Sequence, residues 1–115
     1  MENLWTYQDE TYRSESNLAG FDVEATDGSI GAVDQDTTDR DHLIVDTGFW
    51  IFGKKRLLPA GVVDRIDYDN EKVYINMTKD QVKGAPDLDE TLDYTRSDTK
   101  WDRDPYSSYY GPYGW

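Results

Sequence analysis

The stretch VVDRIDYDNEKVYINMT, residues 62–78, constrains the fold more than any other. Val73, Ile75 and Met77 recur at every second position, and Ile66 and Tyr68 do the same before a polar turn at Asp69-Asn70. A period of two places alternate side chains on opposite faces of a strand, whereas a helix would repeat its apolar residues every three or four. Two strands joined by a tight turn are therefore expected here.

The same texture extends upstream. In GFDVEATDGSIGAVDQD, Phe21 and Val23 share a face, Asp27-Gly28 is a hairpin turn pair, and Ile30 opens the next strand. Gly31 interrupts that strand before Val33, which marks a bulge or a close approach of two backbones. HLIVDTG is a short buried run rich in branched residues. Five or six short strands with turn signals between them predict an all-β domain, a small barrel or a sandwich. Thr78 and Gln81 have the spacing of a capping box for one or two helical turns, which Gly84 and Pro86 then close.

Charge limits the partners. The 115 residues hold 24 acids and 12 bases, a net charge of −12. Binding to a phosphate backbone needs a basic face, so nucleic acid is not an expected partner. Anionic lipid surfaces are disfavoured for the same reason. Cysteine is absent and His42 is the single histidine, which leaves no thiolate zinc site, disulfide or histidine cluster within one chain. The N-terminus has neither the basic nor the apolar region of a signal peptide, and no stretch is long enough to span a bilayer. A cytoplasmic protein without membrane insertion is expected.

Texture divides the chain into a polar N-terminal flank at 1–19, a folded domain at 20–90 that holds nearly all the Ile, Val and Leu, and a tail at 91–115, acidic and then rich in Tyr and Trp. Within the domain, TGFWIFGKKRLLP combines four consecutive large apolar residues with three cations. A membrane-surface anchor carries such a pattern, and so do two barrel strands bent at Gly53. The acidity of the rest of the chain favours the strands. Phe49, Trp50 and Phe52 are then candidates for a subunit interface, since one aromatic pair fills the core and the other needs a cover.

DGSIGAVDQD, LIVDTGFWIFGKKRLLPAGVVDRID and VYINMTKDQVKGAPDLDE, taken in that order from Gly20 to Asp89, resemble the PRC-barrel domain, named for the cytoplasmic barrel of the photosynthetic reaction-centre H subunit. The resemblance rests on Asp-Gly-x-Ile-Gly-x-Val, a Leu-x-Val-Asp-x-Gly strand, an aromatic-Gly-basic bend, a Leu-x-Pro strand end and a closing Thr-x-Asp-x-Val-x-x-Ala-Pro-like segment. Asp22, beside the usual start, departs from the pattern. The resemblance implies a small, highly bent β-barrel, commonly dimeric; with the capped turn and the polar flanks read from the residues, the expected fold is an all-β PRC-type barrel with one short C-terminal helical turn and flexible flanks. It implies a docking module rather than an enzyme, with no catalytic residues and no cofactor to carry over.

Other residues suggest chemistry of their own. Asp34, Asp36, Asp39 and Asp41 alternate in DQDTTDRD and are candidate calcium ligands, although the loop lacks the glycine and closing glutamate of an EF-hand. His42 beside Asp41 or Asp46, and the pair Asp64 and Asp67, are the nearest approaches to acid–base chemistry; neither comes with a nucleophile. Lys54, Lys55, Arg56 and Arg65 are the only basic concentration, suited to an acidic partner or to a solvated hairpin. In the tail, Trp101, Tyr106, Tyr109, Tyr110, Tyr113 and Trp115 stand among Ser, Gly and Pro, and Pro105 and Pro112 argue against a regular helix. Such segments assemble or dock through aromatic contacts, or pack back onto their own domain. The functional expectation is a homodimeric scaffold that uses its tail for assembly or docking, with a calcium- or ligand-responsive module as the alternative.

Overall fold

The computed structural model describes residues 4–7, 12–13, 16–35, 41–48, 55–88, 91–94 and 102–113. Six strands form one sheet: β1 (Asp22–Ala25), β2 (Gly28–Gln35), β3 (His42–Asp46), β4 (Lys55–Pro59), β5 (Val63–Asp67) and β6 (Lys72–Ile75). Their order across the sheet is β4-β3-β2-β1-β6-β5. β1 and β6 run parallel, and every other neighbouring pair is antiparallel. Two short helices follow, α1 (Lys79–Lys83) and α2 (Asp104–Tyr110). The chain is thus mostly β, with a six-stranded mixed sheet.

Connectivity forces that sheet to curl. β4 and β5 are its outer strands, yet only the 3₁₀ turn Ala60–Val62 joins them. Five inter-strand steps in a flat sheet would separate them by about 24 Å. The chain from Pro59 to Val63 spans at most about 14 Å. Among the described residues no ladder pairs β4 with β5, so the curled sheet is not closed by hydrogen bonds there.

The expected hairpins are in place. β1 turns into β2 through Thr26-Asp27, one residue before the expected Asp27-Gly28 pair because Gly28 already pairs with Ala25, and the register slips between Val23 and Glu24, with Ile30 the extra residue beside Gly31. β5 and β6 meet through a turn in which the Asp67 carboxylate accepts from the main-chain and side-chain nitrogens of Asn70, at 3.1 and 2.8 Å. β3 and β4 are buried almost throughout, so this hairpin is covered on both faces. The register pairs His42 with Pro59 and Val45 with Arg56, which sets His42 and Arg56 on opposite faces.

α1 starts with the predicted capping box. The Thr78 hydroxyl accepts from the Gln81 N–H at 3.2 Å, and the Gln81 side chain accepts from the Thr78 N–H at 2.8 Å. At its other end the buried Arg56 guanidinium donates to the carbonyls of Val82 and Lys83. A cation suits a helix C-terminus, whose last carbonyls have no partner within the helix.

α2 corrects the expectation of a single helical turn. Pro105 does not oppose this helix because it lies in the first turn, where its missing N–H has no partner to lose. Pro112 falls beyond the C-terminus, in the 3₁₀ turn Gly111–Tyr113. The buried cluster draws on both flanks of the 20–90 segment as well: Leu4 and Leu18 before it, and Tyr94, Tyr106 and Tyr110 after it, pack with the strand residues in one core.

Candidate functional site

The sequence DPYSSYY places Tyr106, Tyr109 and Tyr110 three and four residues apart, which is one face of a helix. That face lies on the body of the protein. The Tyr110 hydroxyl donates to the Leu57 carbonyl of the outer strand β4 at 2.8 Å. The Tyr109 hydroxyl donates to the Gln81 carbonyl of α1 at 2.6 Å, and that of Tyr106 to the Asp87 carbonyl at 3.3 Å. Tyr109 and Tyr110 also meet edge to face, with centroids 5.2 Å apart. Three phenols of one helix thus hold main-chain carbonyls of three separate segments. Burial first, then the neighbouring phenols Tyr109 and Tyr106, push the Tyr110 ionisation far upward against a smaller opposing effect of Arg56, so Tyr110 stays a donor.

A second set of contacts lies at the start of α2. Arg103 donates from Nε and Nη2 to one Asp41 carboxylate oxygen, at 3.1 and 2.6 Å. The other oxygen of Asp41 is 2.8 Å from His42 Nδ1. His42 lies edge-on to Tyr94 at 5.9 Å between centroids. The Arg103 guanidinium also stands 5.5 Å from the Trp5 ring, and the Trp5 indole N–H donates to the Ser107 hydroxyl at 3.1 Å. Both termini therefore meet at α2 and are tied to the start of β3. The His42–Asp41 pair is arranged as a base with its orienting carboxylate, but His42 is 1% exposed, and its setting is that of an anchor.

Burial alone would raise the pKa of Asp41, but the hydrogen bonds and charges of His42 and Arg103 outweigh it, and the net effect is a value below the ordinary 3.8. A lowered carboxylate pKa stabilises the fold above the unfolded-state value, and that contribution is lost as pH falls through the folded-state value. The melting temperature should therefore fall below pH 3.8 more steeply in the native chain than in Asp41→Asn. The difference should correspond to no more than about 1 kcal/mol, because Arg103 is half exposed. Parallel acid slopes in thermal melts from pH 2 to 6 would remove this role from Asp41.

The other predicted residues are dispersed. Phe49, Trp50 and Phe52 lie outside the described residues, as do Trp101, Trp115, the side chain of Tyr113 and the candidate calcium ligands Asp36 and Asp39. Of the remaining two, Asp34 pairs with Lys55 at 3.0 Å while Asp41 faces His42 and Arg103. No cluster of metal-ligating side chains occurs among the described residues. Asp64 is exposed, and Asp67 is engaged by Asn70. Lys54 lies outside the described residues, and the three described basic residues do not form one patch: Arg56 is buried against α1, Lys55 pairs with Asp34, and Arg65 stacks over Tyr74 at 4.0 Å.

Trp5, Tyr94, Arg103 and Ser107 were not singled out by sequence as partners. The one available signal was the isolated Trp5 in a polar flank, since an indole in such a setting usually finds a cover. Fold and site together define a sheet-rich protein whose terminal segments are docked on its sheet. No helix among the described residues is long and apolar enough to cross a membrane. Comparison with family models and with curated proteins gives no match.

Proposed function

We propose that this chain is a non-enzymatic interaction module of the PRC-barrel type, acting in the cytoplasm, that self-associates and docks a partner through its aromatic C-terminal segment. The observation that carries this reading is the grip of Tyr106, Tyr109 and Tyr110 on the carbonyls of Asp87, Gln81 and Leu57. Main-chain carbonyls are present whatever the side chain, so a tyrosine-bearing segment of a second copy can use the same acceptors. The curled sheet and the order of the short strands are consistent with a PRC-type barrel. In this reading Phe49, Trp50 and Phe52, in the connection between β3 and β4, form the contact between two copies.

Light scattering on the full chain over a range of concentrations tests the proposal, with Trp50→Ala measured alongside. The native chain should reach the mass of a dimer. The variant should weaken dimerisation by about tenfold or more, the effect of removing a buried tryptophan anchor. A monomer at every concentration would exclude self-association. A variant that loses its circular dichroism would assign Trp50 to the core and not to an interface.

A further inference from the structure

Between the C-terminal segment and the body lies a cavity of about 210 Å³. Tyr106, Pro105 and Asp102 line it from α2 and the residues leading into it, and Tyr94, Leu92, Asp87 and Pro86 line it from the other side. The two tyrosines are buried, at 2% and 5% exposure, whereas Asp87 and Asp102 are exposed. The cavity thus combines aromatic and apolar walls with carboxylates that reach solvent.

Each class of ligand meets this lining differently. An anion would face two carboxylates. A neutral apolar group would gain nothing from them. Calcium takes six or more oxygens, more than the two carboxylates of this lining supply. An organic ammonium suits both features, because its charge is spread over methyl groups that pack against tyrosine rings while the Asp102 carboxylate balances it; Asp87 is shared with Arg56 at 3.4 Å. The volume corresponds to roughly seven waters and lies below the range of about 300 Å³ upward typical of drug-sized pockets. The net charge of −12 concentrates cations around the molecule.

We propose that this cavity binds a small methylated ammonium cation, and that the bound cation holds the C-terminal segment on the body. The second part follows from the first. Asp102, Pro105 and Tyr106 come from α2 and the residues leading into it, so the complete site exists only while α2 is docked, and a ligand stabilises the state to which it binds. The proposal does not depend on self-association.

The test is a titration of the full chain with choline at constant ionic strength, followed by NMR and thermal melting. The neutral isostere 3,3-dimethyl-1-butanol serves as the control for shape, and Asp102→Asn as the control for charge. Asparagine keeps an oxygen to accept from the Asp104 N–H, now held at 2.9 Å, so the variant should fold. Choline should give saturable shifts of the Tyr94 and Tyr106 ring signals and raise the melting temperature, while the isostere does neither. Asp102→Asn should weaken binding by about fivefold or more, the scale of one solvent-screened charge contact. Shifts that sodium chloride reproduces would overturn the proposal. So would equal binding of the isostere, or an unchanged affinity in a folded Asp102→Asn.

Discussion

Replacing Gly31 with alanine is expected to cost about 3–5 kcal/mol, in the range reserved for severe steric or backbone conflicts. Gly31 lies in β2 with φ of +142°, where side chains are strained. The larger effect is a collision. A Cβ at this position would stand 1.9 Å from the Asp46 carbonyl oxygen and 2.9 Å from its carbon. Both are main-chain atoms of the neighbouring strand β3, so the conflict cannot be relieved by a rotamer change. β2 and β3 would have to separate, and β3 is buried through His42, Leu43, Ile44 and Val45. Gly20 provides the control. Its φ of +87° also lies in the left-handed region, but a Cβ there meets nothing within 4 Å. Gly20→Ala should cost only the backbone strain, about 1–2 kcal/mol. Chemical denaturation of the two variants against the native chain measures the difference. Equal effects would mean that backbone strain alone explains Gly31 and that the close approach of β2 and β3 is wrong.

Gly31 also illustrates what the sequence makes legible. An isolated glycine in an alternating strand announces a bulge or a close approach, and both occur here. The β5–β6 turn and the capping box of α1 were readable for similar reasons: each depends on a few adjacent residues whose chemistry permits little else. Long-range placement was less legible. Arg56 reads as one of four surface cations until α1 folds across β4 and supplies carbonyls for its guanidinium. Likewise, the i, i+3, i+4 spacing of Tyr106, Tyr109 and Tyr110 was visible, but the absence of aliphatic residues and the presence of two prolines pointed away from a helix. The tyrosines provide the apolar face that Leu or Ile would provide elsewhere, and one proline stands where a helix accepts it. The link between Asp41 and Arg103 joins residues 62 positions apart, and no local pattern announces it.

Core burial of the C-terminal segment has the second large consequence. Among the described residues Tyr110 is the largest fully buried side chain, at 0% exposure. Tyr110→Ala removes its ring from a packed site and deletes the donor to Leu57, and should cost about 3–5 kcal/mol, as for other large aromatic truncations. Domains of this size have total stabilities of about 5–15 kcal/mol, so the variant should be marginal at 37 °C. Tyr110→Phe keeps the ring and loses only the hydrogen bond, which should cost about 1–1.5 kcal/mol. The two variants should also diverge with pH. Burial raises the Tyr110 pKa above its ordinary value of 10.0, so the folded state holds the phenolic proton more tightly than the unfolded chain. That contribution is complete below the unfolded value and is lost as pH rises beyond it. The native chain should therefore lose stability more steeply above pH 10 than Tyr110→Phe, which has no proton to release there. Urea melts between pH 7 and 11 measure both quantities. If Tyr110→Ala leaves the midpoint unchanged, the C-terminal segment is an appendage and the grip on β4 carries no stability. If it unfolds the sheet, docking in trans requires a second copy to restore what the first gives up, and any exchange of C-terminal segments between copies must pass through a state that exposes the core.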